Sequence, residues 1–89
     1  MIKHEDKYVK ELAYRLTIIR KYAKLSRREV VDKFNINLPT LRSWEEGKSD
    51  PSAGKLLAYL REYKKHGIEV CYANLFDLDN PLRVLTQGK

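Results

Sequence analysis

The sequence predicts an all-α fold, a compact bundle of about five short helices. Three observations lead there. Apolar residues recur at spacings of three and four along most of the chain, Ser and Asn stand where helix caps belong, and a chain of 89 residues must build an economical core. The chain is read as one domain, 1–89, with its core at about 7–76, a central pair of helices at about 26–46 and a tail or dimerisation extension at 77–89.

With 43% hydrophobic and 34% charged residues the composition is that of a globular chain with a well-charged surface. The net charge of +6 and pI near 9.5 favour an anionic partner. The excess lies before Ile68, where 16 basic residues face nine acidic ones; beyond it two basic residues face three acidic. Cys71 is the single cysteine, so no intramolecular disulfide forms; it reads as a small buried hydrophobe in a reducing compartment. No apolar run approaches a membrane span and the first residues are charged, so the expectation is a cytoplasmic protein with no membrane partner.

In chain order, Met1 to about Asp6 reads as a frayed start. From about Lys7, the positions Val9, Leu12, Leu16, Ile19 and Ala23 make an unbroken helical stripe, widened by Tyr8 and Ala13. Lys7, Lys10, Arg15, Lys21 and Lys24 lie off it and are expected to face water or phosphate. Ser26 opens a second helix through a capping box with Glu29, and Val30, Val31 and Phe34 form its apolar face. Asn35 suits a left-handed stop. Asn37 caps a third helix that opens Leu38-Pro39-Thr40, where proline sacrifices no helical bond. Leu41 and Trp44 are its buried side and Gly47 ends it.

Ser52 then caps a fourth helix with Leu56, Leu57, Leu60 and Tyr63 on one face, ended by Lys64-Lys65-His66-Gly67. Ile68 to Phe76 fits either an alternating strand or a short helix; an extended start followed by helix from about Cys71 is the preferred reading. Asp77 to Pro81 is turn-rich, and Leu82 to Lys89 reads as tail, although Leu78, Leu82, Val84 and Leu85 are apolar enough to pack on the core or on a second copy.

Two short helices joined by a tight turn form the unit that places its second helix in the DNA major groove. The segment resembles the helix-turn-helix of the phage-repressor and Cro-type (XRE) family. Val30, Phe34, Ile36, Leu41 and Trp44 match that family's buried positions, and Trp44-Glu45-Glu46-Gly47-Lys48-Ser49-Asp50-Pro51 is similar to its frequent ending. The likeness covers about Leu16 to Leu60, more weakly on to Phe76. It implies a lambda-repressor-like domain and a pair between Arg20 and Glu45, which two parallel hydrogen bonds would hold at a fixed angle. It also carries base reading to Leu38, Pro39, Thr40, Arg42 and Ser43.

This chain departs from the family at several of those places. Leu38 and Pro39 stand where the family commonly has Gln, Arg, Lys or Asn and cannot bridge purine edges; Leu38 and Thr40 can touch thymine methyls, Ser43 can bond several bases and Arg42 can reach guanine. The competing role for Leu38 is an apolar contact at the helix start. Val31 replaces a usual alanine. Lys24 stands where a glycine often ends the first helix, so the backbone there either stays right-handed or takes a mildly unfavourable form.

Phosphate contacts are expected from the outward amides and side chains of Ser26, Arg27 and Arg28, from Lys48 and Ser49 after the third helix, and from Lys55. The leading expectation is a sequence-selective DNA-binding transcriptional regulator, repressor-like, acting as a homodimer whose surface lies in the fourth and fifth helices and the tail. The alternative is a protein-interaction module on the same scaffold, antitoxin-like or regulator-binding. An enzyme is not expected, since no paired acid and base or phosphate-binding glycine loop occurs. No cofactor, metal or small-molecule substrate is expected either: His66 reads as solvated or capping and His4 as solvated.

Overall fold

The structure, a computed structural model, describes residues 4–77 and 79–86. It is all-α in character, with five helices and one minimal strand pair among the described residues. The order is α1 (His4–Tyr22), α2 (Arg27–Phe34), α3 (Leu38–Glu45), α4 (Ala53–Lys65), β1 (Ile68–Glu69), α5 (Tyr72–Phe76) and β2 (Leu85–Thr86). The chain falls into two units, the first running to Asp50 and the second starting at Pro51.

In the first unit α3 packs against both α1 and α2. Leu12, Ala13, Leu16 and Ile19 bury one side of α1, Val30 and Phe34 one side of α2, and Leu41 and Trp44 one side of α3. The helical backbone already begins at His4, earlier than the frayed start expected up to Asp6. Arg15 is a correction: expected to face water or phosphate, it is only 4% exposed. It stands three residues after Leu12 and four before Ile19, hence on the buried stripe itself, and its Nε donates to Glu11 Oε2 at 3.0 Å. Tyr8, expected to widen the stripe, is exposed instead.

α1 and α3 end the same way. Leu25 N donates to Arg20 O (3.2 Å) and Lys24 N to Lys21 O (3.0 Å); Lys48 N donates to Ser43 O (2.9 Å) and Gly47 N to Trp44 O (3.4 Å). Both are Schellman closures, which need a left-handed residue just past the C-cap. Gly47 supplies it at φ 73°, whereas at the end of α1 a lysine does so, Lys24 at φ 62°. Of the two conformations open to Lys24, the chain takes the unfavourable one. Asn35 closes α2 at φ 56°, as its side chain permits.

In the second unit Ser52 caps α4 by accepting from Lys55 N at 3.3 Å. The buried face is Leu56, Tyr59, Leu60 and Tyr63, at i, i+3, i+4 and i+7. Leu57, placed on that face from sequence, is 48% exposed, because one helical step carries it about 100° round from Leu56. Tyr59 and Tyr63 meet edge to face at 5.1 Å and share a hydrogen bond between their hydroxyls at 2.9 Å. β1 pairs antiparallel with β2, Ile68 opposite Thr86 and Glu69 opposite Leu85, so part of the expected tail is strand. Cys71 is exposed rather than buried, since it precedes the first turn of α5 as its N-cap and Leu75 is the residue that turns inward. Phe76, at the end of α5, is half exposed.

The left-handed closures predict opposite signs for two substitutions. Lys24→Gly is expected to stabilise the chain by up to about 1 kcal/mol, since relief of the left-handed lysine outweighs the added freedom of the unfolded backbone. Gly47→Ala is expected to destabilise by about 1 kcal/mol, as its Cβ would meet Lys10 and Ala13 only at ordinary distances of 3.6 to 3.8 Å and the cost is the backbone's. Urea unfolding of both variants measures the difference.

Candidate nucleic-acid interface

α3 is an eight-residue helix, too short to hold its shape in water unaided, so its back must be fixed by what lies behind it. Leu41 and Trp44 supply apolar contact, and Glu45 supplies charge. The Glu45 side chain is fully buried. Arg20 grips it with two parallel bonds, Nε to Oε2 at 2.8 Å and Nη2 to Oε1 at 3.0 Å, and uses Nη1 to hold Leu25 O at 3.0 Å. A second guanidinium joins: Arg27 Nε donates to Glu45 Oε1 at 2.9 Å. One buried carboxylate thus ties together α1, the turn after it, the first turn of α2, and α3.

Arg27 was expected at a phosphate. Its side chain is instead committed to Glu45, and its Nη1 lies 3.8 Å from Glu46 Oε2. The physical reason is that a fully buried carboxylate draws in every cation within reach. Lys48, the other expected phosphate ligand near α3, has its Nζ 3.2 Å from Glu46 Oε1 yet remains 73% exposed. Charge reading from sequence gave no role to Glu46, although a residue three and four past Ser43 and Arg42 falls on their side of the helix.

The start of α2 is a true capping box. Glu29 N donates to Ser26 Oγ at 3.1 Å and Ser26 N donates to Glu29 Oε1 at 2.8 Å. The Ser26 amide, expected to receive phosphate, is therefore already satisfied, which leaves the amides of Arg27 and Arg28 as the outward donors of that turn. The two bonds from Ser26, backbone first and hydroxyl second, hold the Glu29 carboxyl below its ordinary value of 4.5. Arg28 is exposed.

Along α3 the outward positions are Pro39 and Arg42, with Glu46 following and Leu38, Thr40 and Ser43 half-buried. Thr40 Oγ1 donates to Asn37 Oδ1 at 2.6 Å. Asn37 stands at the cap position as expected, but its side-chain oxygen takes this hydroxyl and makes no bond to a helix amide. Ser43 shares a hydrogen bond with Ser49 at 2.8 Å, which ties the loop back to the helix. Arg42 and Pro39 are the exposed side chains of the ridge. Lys55 belongs to the second unit, exposed on the first turn of α4. The segment 26–50 holds five basic and five acidic residues, so the helix pair itself is neutral and the chain's excess charge lies elsewhere.

Among the described residues no three potential metal ligands gather, and no helix is long and apolar enough to cross a membrane. Comparison with known protein families, curated proteins and solved structures returns no match for this chain.

Two measurements follow from this geometry. Glu45→Gln leaves two guanidinium groups around a neutral side chain and is expected to cost about 3 to 5 kcal/mol in chemical denaturation; Arg27→Gln is expected to cost less, because Arg20 still neutralises the carboxylate. Because the folded carboxyl of Glu29 is lowered, its stabilising effect is complete above about 4.5 and is lost as pH falls through the lower folded value. Glu29→Gln should therefore flatten the acid limb of a thermal-stability profile in that window.

Proposed function

We propose that this chain is a sequence-selective, duplex-DNA-binding transcriptional regulator of the helix-turn-helix kind, similar to the phage-repressor and Cro-type family, with α3 entering the major groove. The observation that carries the reading is the outward side of α3, Pro39 and Arg42 with the half-buried Ser43 beside them, held from behind by the buried Glu45 and its two arginines. A rigid backing is what base reading requires, since a contact misplaced by an ångström discriminates poorly. In this role Arg42 reaches a guanine edge, Ser43 bonds a base through its hydroxyl, and Leu38 with Thr40 lines thymine methyls. Arg28 and Lys48, with the free amides at the start of α2, seat the phosphates on either side.

One eight-residue helix covers few base pairs, so the working form is a homodimer on a two-fold site. Leu57 and Phe76, large apolar side chains left about half exposed, support a dimer surface on α4 and α5. A protein-interaction module is the second reading, favoured by the neutral charge of segment 26–50 and the exposed Pro39.

Fluorescence anisotropy on duplexes selected from a random library tests the proposal. Arg28→Gln should weaken binding to all sequences and lower the magnitude of the salt slope by about one. Arg42→Ala should relax preference at a single base pair, by about 1 to 3 kcal/mol. Absence of salt-dependent binding to any duplex at low ionic strength would favour the protein-binding reading.

A further inference from the structure

The ridge of α3 ends in a carboxylate. Glu46 follows Ser43 by three residues and Arg42 by four, on the same outward side, and its two oxygens face the two cations nearest it: Oε1 to Lys48 Nζ at 3.2 Å, Oε2 to Arg27 Nη1 at 3.8 Å. A carboxylate is an acceptor only. Beside a phosphate it repels, and among base edges in the major groove it accepts only from an amino group, as on cytosine. Affinity for DNA of any sequence grows with the number of cations that reach phosphates. Each cation drawn toward Glu46 is one withheld from that count.

We infer that Glu46 sets specificity by restraint: it holds Lys48 back from the backbone of non-cognate duplex, so that binding depends on the base contacts of Arg42 and Ser43. The inference rests on the DNA-binding reading. Three features of the site agree with it. The helix pair is charge-neutral despite the chain's net +6, so its weak attraction for phosphate is local and not a property of the whole chain. Lys48 remains largely exposed, so its pair with Glu46 is an open surface pair that a well-placed phosphate can displace. Arg27 keeps its bond to Glu45 when Glu46 lets go, so the scaffold behind α3 is undisturbed.

The test compares Glu46→Gln with Asp32→Asn, which removes the same charge from an exposed position of α2. Anisotropy titrations over a salt series use one random duplex and one library-selected duplex. For Glu46→Gln the expected result is random-duplex binding two- to fivefold tighter than that of Asp32→Asn, the range that release of a surface ion pair allows. A salt slope steeper by about one and a matching fall in the selected-to-random ratio should accompany it. Equal behaviour of the two variants, or weaker random-duplex binding by Glu46→Gln with an unchanged melting profile, overturns the role of Glu46 alone. Failure of the unaltered chain to bind either duplex overturns it together with the DNA-binding reading.

Discussion

A single buried carboxylate sets the geometry of the first unit. Glu45 is withdrawn from water entirely and would be untenable without compensation, since an unpaired ion in an apolar interior is strongly disfavoured. Three charge-assisted hydrogen bonds from Arg20 and Arg27 supply it. The fork of Arg20 fits the carboxylate in one plane only, so the pair fixes the angle of α3 against α1 in a way that Leu41 or Trp44 alone would not. The same arginine holds the carbonyl of Leu25 and thereby the turn that delivers α2. Net stability need not be gained from such a cluster; what it confers is one arrangement over its neighbours.

Most of the element order was legible because the sequence states its helix boundaries locally. Ser26 with Glu29, Asn35, Pro39, Gly47 and Ser52 each act within a turn of their own position, and local chemistry of that kind survives any tertiary context. The misplacements share a different cause. Arg15, Leu57 and Cys71 were assigned by residue type, charge outward and apolar inward, where helical phase decided otherwise for Arg15 and Leu57 and the cap position for Cys71. Tyr59 and Tyr63 show the converse. Aromatic residues with hydroxyls can be buried fully when the hydroxyls satisfy each other, a pairing that depends on the i, i+4 spacing and on nothing in their individual character. The pairing of β1 with β2 joins residues 16 and 18 apart with two positions each, too short for any alternation to announce.

The Arg20 to Glu45 pair entered through a resemblance, whereas Arg27 joining the same carboxylate was not legible at all. Arginine at a helix start reads as a phosphate ligand because its usual neighbour there is water. Whether it finds a carboxylate depends on the crossing of α2 and α3, which is a long-range outcome. The same holds for Glu46, whose meaning comes from the cations around it.

Net charge is therefore a poor guide to what the helix pair can do. The basic excess that suggested an anionic partner is absent from segment 26–50, where acids equal cations in number and Arg27 and Lys48 are each paired with one. Under the proposed DNA-binding reading, a duplex approaching such a surface would gain little from counterion release at α3 itself, so affinity would come from contacts that fit or from a second copy that doubles them. In the proposed role, a surface of this kind would favour discrimination at the expense of strength, and a second copy would matter more than it would for a helix pair rich in unpaired lysine.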